Sequence, residues 1–237
     1  GLPGVDARET WIAEHLARMA SGPIANVPEA ANEQHYEVPA DFFTHCLGPR
    51  LKYSSCLFEK ATTLEEAEIE ALEATCDHAD LADGQDILEL GCGWGSLTLW
   101  MAERYPASRI TAVSNSHGQR AHIETECRRR NLSNVRIITA DMNEFETDAR
   151  FDRLVSIEMF EHMHNWNMLF ERVRSWMRDD ASMLIHVFCH RDTPYFFEDR
   201  GSGDWMARHF FSGGQMPSLD LPGRLPGHLQ LDRTWQW

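Results

Sequence analysis

Asp86-Ile87-Leu88-Glu89-Leu90-Gly91-Cys92-Gly93-Trp94-Gly95-Ser96 opens as a short apolar run, breaks into glycines on alternate residues, and continues into Leu97, Leu99, Trp100 and Met101. A buried strand, a tight glycine turn and the first turn of a helix produce that pattern. Gly91 and Gly93 let the backbone turn sharply and approach a ligand with no Cβ in the way. The helix that follows aims free N–H groups and the positive end of its dipole at the same place. Such an element is where nucleotide-like cofactors sit in open α/β sheets.

Outward from this turn the chain alternates. After strand Ile87–Leu90 the pattern predicts helix Ser96–Arg104, strand Arg109–Val113, helix Gly118–Arg130, strand Val135–Thr139, strand Phe151–Ile157, helix Met168–Met177 and strand Ser182–Phe188. Strands separated by helices of this length imply a doubly wound α/β fold with a parallel sheet. Upstream, an amphipathic helix is expected over Asp6–Ala20 and a short one capped by Asp41. A third is expected from Thr63 to about Ala79, with Thr63 or Thr62 as its cap. Residues 189–225 lose the rhythm and are rich in Gly, Pro and aromatics, as lids and binding insertions are. The stretch Leu229–Trp237 reads as a further strand, and an apolar edge strand left as the last element would be poorly protected.

Among 237 residues, 43% are hydrophobic and no apolar run approaches a membrane span. The net charge of −15 argues against nucleic acid and stable membrane binding as partners. Ten Asp or Glu and no Lys or Arg lie between Ala61 and Leu90, which predicts a mostly solvated acidic helix face. Six scattered cysteines without a C-x-x-C pair suit reduced thiols and a cytoplasmic location. The nearest histidine pairs, His162-x-His164 and His186-x-x-x-His190, lack metal-ligand spacing on a helix, so no metal is expected. Gly1-Leu2-Pro3-Gly4 has neither the basic cluster nor the apolar core of a signal peptide. The start without Met and the tryptophan-rich end at Trp237 together lead to the expectation that residues are missing at both termini.

A dinucleotide site would need G-x-G-x-x-G/A and an acid about 20 residues on. Ser96 stands where the third glycine would be, and Ala112-Val113-Ser114-Asn115 offers no carboxylate. No Walker-type G-K-[ST] exists either. Glu89 before the glycines suits a cofactor carrying an ammonium and a sulfonium, S-adenosylmethionine, and Asp141 is placed to accept from an adenine amino group. Taken singly, either acid also reads as an ordinary strand-end polar residue. Past the fourth strand, Glu158, Glu161 and His162 gather two carboxylates and an imidazole within five residues. That group can hold a cation and move a proton, or it can be a helix N-terminus rich in acids.

The chain is similar to the cyclopropane fatty acid synthase-like methyltransferases, and within them to the coclaurine N-methyltransferase branch. The resemblance rests on Asn32-x-x-His35-Tyr36-Glu37-x-Pro39, Leu51-Lys52-Tyr53-Ser54-Ser55-Cys56 and Glu89–Gly95. Further on it rests on Ser114-Asn115-Ser116-x-x-Gln119, Ser156–His162, Phe188-Cys189-His190 and Phe210-Phe211-x-Gly213-Gly214-x-Met216-Pro217-Ser218. It implies a Rossmann-like class I methyltransferase sheet over residues 81–237, an N-terminal helical lid over 1–80, and a lid or substrate insertion at 189–225. It implies that Tyr53 and Ser54 contact the methionine part of S-adenosylmethionine, with Glu89, Gly91 and Gly93 lining the turn. Ser114, Asn115 and Gln119 would hold the ribose, and Asp141 and Met142 would flank adenine. Glu158, Glu161 and His162 match the acidic active-site cluster of the N-methylating branch. Lipid-cyclopropanating members carry a cysteine directly after the Tyr-Ser pair, where this chain has Ser55. Their bicarbonate site uses a glutamate, a histidine and a C-terminal tyrosine. Glu161 and His186 match the first two, and the chain ends before the segment that bears the third.

Three activities are therefore weighed. The favoured one is N-methylation of a small amine, Glu158 and Glu161 attracting the ammonium and His162 accepting its proton. Tyr195, Phe197, Trp205, Phe210 and Phe211 would then supply an apolar wall and cation–π contacts, or plain packing. The second is methylene or methyl transfer to an unsaturated acyl chain, and the third is cofactor binding without catalysis. The partners expected are a small-molecule amine and, at most, a second copy of the chain in a homodimer.

Overall fold

The computed structural model of the chain describes residues 5–26, 40–227 and 229–237; the Asn32–Pro39 motif lies outside them. Strands β1 (Asp86–Leu90), β2 (Arg109–Ser114), β3 (Val135–Thr139), β4 (Phe151–Ile157) and β5 (Met177–His186) form one sheet. Their order is β3-β2-β1-β4-β5 and every pairing is parallel, as the alternation of strands and helices requires. The order reverses between β1 and β4, so the crevice at their carboxyl ends is the topological switch point. The described residues group into two compact units. One draws on the stretches 35–158 and 176–186 with Trp237 and contains the sheet; the other draws on 1–34, 159–175 and 187–236.

In the sheet unit, register places Ile87 beside Ile110 and Glu89 beside Ala112 and Val155, so these side chains share one face. Helices α3 (Leu64–His78), α4 (Ser96–Arg104) and α5 (His117–Arg130) flank that face. Leu72, Cys76, Leu97 and Met101 pack with Ile87 and Ile110, while Ile123 and Cys127 pack with Ala112 and Ile137. Leu88, Leu90 and Leu154 point the other way and are equally buried. Burying each such side chain contributes about 1.5–3 kcal/mol. Ahead of α3 lies a short helix, α2 (Ala40–Cys46), whose span includes Asp41, though the side chain expected to cap it lies outside what the structure describes.

Most of the acidic stretch is solvent-exposed, as expected (Glu65, Glu66, Glu73, Asp77, Asp80 and Asp83), but several of its carboxylates also hold backbone. Thr63 and Glu66 close a capping box at the start of α3, and Glu70 accepts from the backbone N–H groups of Lys60 and Ala61. Glu68 is fully buried and takes the N–H groups of Arg50 and Lys52 at 2.9 and 3.1 Å. Asp83 accepts from Ala107 and Ser108. These carboxylates hold loop backbone that would otherwise leave donors unsatisfied.

The second unit contains α1 (Val5–Met19), a 3₁₀ turn Phe160–His162 and most of α6 (Trp166–Trp176). A two-stranded antiparallel ribbon, β6 (Tyr195–Phe196) with β7 (Gln215–Met216), and the short α7 (Trp205–His209) complete it. Ile12 and Met19 of α1 and Trp166, Leu169 and Val173 of α6 are almost wholly buried. Arg8 pairs with Asp220 at 2.9 Å and Trp11 donates to the Pro194 carbonyl at 2.6 Å, so α1 groups with the late aromatic segment.

Three expected boundaries are corrected. Helix α6 starts at Trp166, not Met168, because the buried Asn165 side chain accepts from the Met168 N–H and caps it. Strand β5 runs Met177–His186, not Ser182–Phe188. Arg178 bridges Asp86 at 2.7 Å and Asp152 at 2.6 Å, which ties down the polar first half of that strand, where the register with β4 shifts between Met177 and Ser182. The stretch 229–237 forms no strand; Leu231, Trp235 and Trp237 are about half exposed and have no partner strand among the described residues.

Gly95 tests how tightly the glycine turn is seated. Its φ is +82°, and a Cβ there would lie 2.6 Å from Ile123 Cγ1, whereas a Cβ on Gly93 would meet nothing within 4 Å. Gly95→Ala is expected to destabilise the protein by about 2–4 kcal/mol, combining overpacking with left-handed strain. Gly93→Ala should cost about 1–2 kcal/mol, from backbone strain alone. Urea unfolding without added ligand measures both, and equal losses would overturn the packing argument.

Candidate active site

Gly91, Gly93 and Gly95 all adopt positive φ (81°, 52° and 82°), which non-glycine residues reach only with strain. The N–H groups of Gly91 and Cys92 both donate to the Val113 carbonyl, at 2.9 and 3.1 Å, tying the turn to the end of β2. Gly95 then caps α4 through its backbone, with no side chain over the first-turn amides. The open side at Gly93 leaves a path for a ligand to reach this backbone.

Glu89 is 3% exposed and accepts from Thr98 Oγ1 of α4 at 2.5 Å. Burial pushes its carboxyl up to about 8, against the smaller downward pull of the Thr98 hydrogen bond. At neutral pH it therefore holds its proton unless a cation is brought beside it. Ser114 Oγ, at the end of β2, donates to Gln119 Oε1 at 2.5 Å, and Ser116 caps α5 by accepting from the Gln119 N–H. Gln119 is 1% exposed, and its buried Nε2 has no hydrogen-bond partner among the described residues. Asn115 lies between these residues in the chain. Past β3, Asp141 Oδ1 accepts from the Asn143 N–H at 2.7 Å, which orients the carboxylate, and Met142 is 8% exposed. All these groups thus stand at the carboxyl edge of three adjacent strands.

Tyr53 packs edge-on against Phe43, which packs against Trp94 of the glycine turn, with ring centroids 5.1 and 5.0 Å apart. Burial raises the Tyr53 phenol, with Cys46 adding to it. Next to Tyr53, Ser54 Oγ accepts from Lys52 Nζ at 2.5 Å. Ser55 donates to Glu158 Oε1 through both its N–H (3.0 Å) and its hydroxyl (2.9 Å). Glu158 itself has φ +49°, an uncommon conformation for a residue with a Cβ, and its N–H donates to the His186 carbonyl at 2.8 Å. Burial lowers the His186 imidazole; Glu158 opposes that shift, and Lys52 and His78 add to it. Trp237 Nε1 donates to His186 Nε2 at 3.0 Å.

The acid-imidazole cluster is divided. Glu158 belongs to the sheet unit, while Glu161 and His162 form the 3₁₀ turn of the other unit. The expected cluster is therefore not one helix N-terminus. Glu161 is fully buried and its Oε1 accepts from the Phe188 N–H at 2.9 Å; the His162 ring lies 5.2 Å from that of Phe211. A Cβ on Gly214 would stand 2.3 Å from the Glu161 carbonyl oxygen, so only glycine allows this approach. In the same unit, a cavity of about 850 Å³ is lined by the expected Tyr195, Phe197, Trp205, Phe210 and Phe211, together with Glu14, Asp204 and a Glu198 that pairs with the lining Arg18 and Arg200. An aromatic wall of this kind suits a flat organic ligand.

Lys52 and Gln215 were not expected. Lys52 is 5% exposed, and nothing in Leu51-Lys52-Tyr53 marks it beyond its place before the Tyr-Ser pair. Gln215, wholly buried, donates from Nε2 to the carbonyls of Met163 and His164 at 2.9 and 3.1 Å and accepts from His15 Nε2 at 2.7 Å. Its partners are 50 to 200 residues away in sequence, and no local pattern signals them.

Residues 26–221 match the family model described as mycolic acid cyclopropane synthetase. The (S)-coclaurine N-methyltransferase of Thalictrum flavum subsp. glaucum is 42% identical over 194 residues, 81% of this chain and 54% of that protein. The cyclopropane-fatty-acyl-phospholipid synthase of Escherichia coli K12 is 29% identical over 79% of this chain and 47% of its own length. This chain thus spans about half the length of the curated relatives it matches. The crystal structure of coclaurine N-methyltransferase bound to N-methylheliamine and SAH superposes with a TM-score of 0.94 at 34% identity, covering 99% of this chain and 69% of that one. Taken together with the parallel sheet and its glycine turn, these matches show that the chain belongs to the mycolic acid cyclopropane synthetase family of methyltransferases, nearer in sequence to its coclaurine N-methyltransferases than to its cyclopropane synthases.

Proposed function

We propose that this chain carries the site of an S-adenosylmethionine-dependent N-methyltransferase acting on a small, aromatic amine. The observation that carries the amine reading is the fate of Ser55. Its hydroxyl and N–H, at the position where lipid-cyclopropanating members resemble one another in having a cysteine, are both spent on orienting the carboxylate of Glu158. The relatives with the higher identities are N-methyltransferases, and one solved relative is bound to N-methylheliamine and SAH.

The sheet unit fits the cofactor. Gly93 is open, the buried Gln119 amide still has donors to give, and Glu89 is a buried carboxyl that a nearby cation would ionise. When bound, S-adenosylmethionine supplies an electrophilic methyl group on a sulfonium. Tyr53 and Ser54 would hold its methionine part, Ser114, Asn115 and Gln119 its ribose, and Asp141 and Met142 its adenine. An alkylamine arrives mostly protonated at neutral pH. Glu158 and Glu161 attract that ammonium, and His162 accepts its proton, which frees the lone pair. The nitrogen–carbon bond then forms as the carbon–sulfur bond breaks, the electron pair leaving on sulfur. Holding nucleophile and methyl in line supplies much of the remaining acceleration. The cavity's aromatic rings favour a flat, cationic acceptor. Six free cysteines support a cytoplasmic setting, and no helix among the described residues is long and apolar enough to cross a membrane.

Methyl-labelled S-adenosylmethionine offered with a panel of primary to tertiary amines and, separately, with unsaturated phospholipid tests the reading. Label is expected in the amines; label in lipid alone overturns it. Glu161→Gln and His162→Ala should each lower turnover by on the order of 10²–10⁴ while cofactor affinity stays within a few-fold. A matching loss of cofactor affinity would show that the turn has another role. Calorimetric titration of the cofactor in buffers of different ionisation enthalpy addresses Glu89. Its carboxyl is protonated at pH 7 in the free protein, so a cation bound beside it releases that proton and affinity rises with pH up to about 8. Glu89→Gln should abolish the release.

A further inference from the structure

Lys52 is a buried cation that the reaction outlined above does not use. Its ammonium donates to Ser54 Oγ at 2.5 Å and to the Ser55 carbonyl at 2.6 Å, which folds the segment into a turn around the charge. The backbone on either side is fixed as well, because the buried Glu68 takes the N–H groups of Arg50 and Lys52. A Cβ on Gly48 would reach within 2.4 Å of Glu68 Oε2, so the carboxylate fills its slot completely. From this turn Ser55 projects both of its donors onto Glu158 Oε1. The arrangement is a chain of contacts: Glu68, the Lys52 backbone, the Lys52 ammonium, Ser55, and Glu158 at its strained φ of +49°.

We propose that Lys52 is a positioning residue for methyl transfer, its ammonium fixing the Ser54–Ser55 turn that orients Glu158 and acting as the buried countercharge to that carboxylate. The proposal rests on the N-methyltransferase reading for its effect on turnover, but the contact chain stands without it. Burying an ammonium is costly, and two neutral acceptors alone do not offset that cost. Burial accordingly lowers the Lys52 ammonium, while Glu158, then Cys56, then Glu68 pull it back up. The charges around it are thus Glu158 at the end of β4, Glu68 on α3 and Cys56 in its own segment, with His186 at the end of β5 sensing both Lys52 and Glu158. A carboxylate compensated in this way can attract a cationic amine without holding the cationic product as tightly as a lone buried charge would.

The test has one arm that needs no substrate. In Lys52→Met the His186 imidazole, followed by proton NMR and assigned with His186→Gln, should titrate at least half a pH unit higher than in the parent, because a neighbouring positive charge is gone. In Glu158→Gln it should titrate lower, and the Lys52 ammonium, followed by ¹³C NMR, should lose its proton at lower pH. This second variant keeps the test readable should Lys52→Met fail to fold. The other arm uses an amine that the parent protein methylates. Lys52→Met should lower kcat about tenfold or more and tighten product inhibition, and Lys52→Arg, which restores the charge, should recover part of kcat. Ser55→Ala should lower kcat while leaving the His186 titration within 0.2–0.3 units, since the countercharge remains. An unmoved His186 titration in folded Lys52→Met, or an unmoved Lys52 titration in Glu158→Gln, overturns the proposal. Failure of the parent to methylate any amine, with both NMR shifts present, would overturn the N-methyltransferase reading and leave the Lys52–Glu158 coupling standing.

Discussion

Two backbone amides, those of Gly91 and Cys92, converge on the carbonyl of Val113, and what the sheet edge can offer a ligand depends on that anchor. It sets the direction in which the chain leaves β1, which in turn fixes where α4 begins and where its unpaired amides point. Gly95 can take its place only because it has no side chain to collide with Ile123, so α4 and α5 approach as closely as they do. The same carbonyl belongs to the residue before Ser114, so the turn and the Ser114–Gln119 pair are held by one short piece of β2. Displacing any of these would shift the expected contacts to both ends of the cofactor at once.

Carboxylates do much of the remaining construction. The chain is strongly acidic, yet Glu66, Glu68, Glu70, Asp83 and Asp86 are consumed by backbone amides and arginines of the sheet unit. Part of what looks like surplus charge in composition thus fastens loop backbone and arginines. Three further carboxyl groups, Glu89, Glu158 and Glu161, are each buried or oriented by a specific donor, and burial keeps the first of them protonated at neutral pH.

The sheet was legible because most of its strands are short apolar runs, the first of them ending in glycines, and because helices separate most of them. Helix α4 and strands β3 and β4 occur where periodicity placed them. The boundaries that moved are those set by distant polar partners: Asn165 caps α6 while reaching back to the Ala20 and Gly22 carbonyls, and Arg178 ties the irregular first half of β5 to two aspartates. The glycine turn, Glu89 and Asp141 could be read from their places beside strands. Lys52 and Ser55 could not, since their meaning arises only when a segment 103 residues away brings Glu158 to them. Composition identified the aromatic stretch as special, but its cavity is shaped jointly with Glu14 and Arg18 of α1, which no local pattern links to it.

The hydrogen bond between His15 and Gln215 joins residues 200 positions apart, and it closes a unit built from three separate stretches of chain. During synthesis α1 must wait for almost the whole described chain before this partner exists. The five described strands of the sheet, by contrast, have all been made once His186 has. Loop closure over such a span is entropically expensive and slow compared with local pairing. The order of assembly is thereby constrained: the sheet edge with its glycine turn can take shape while the aromatic cavity is still unformed.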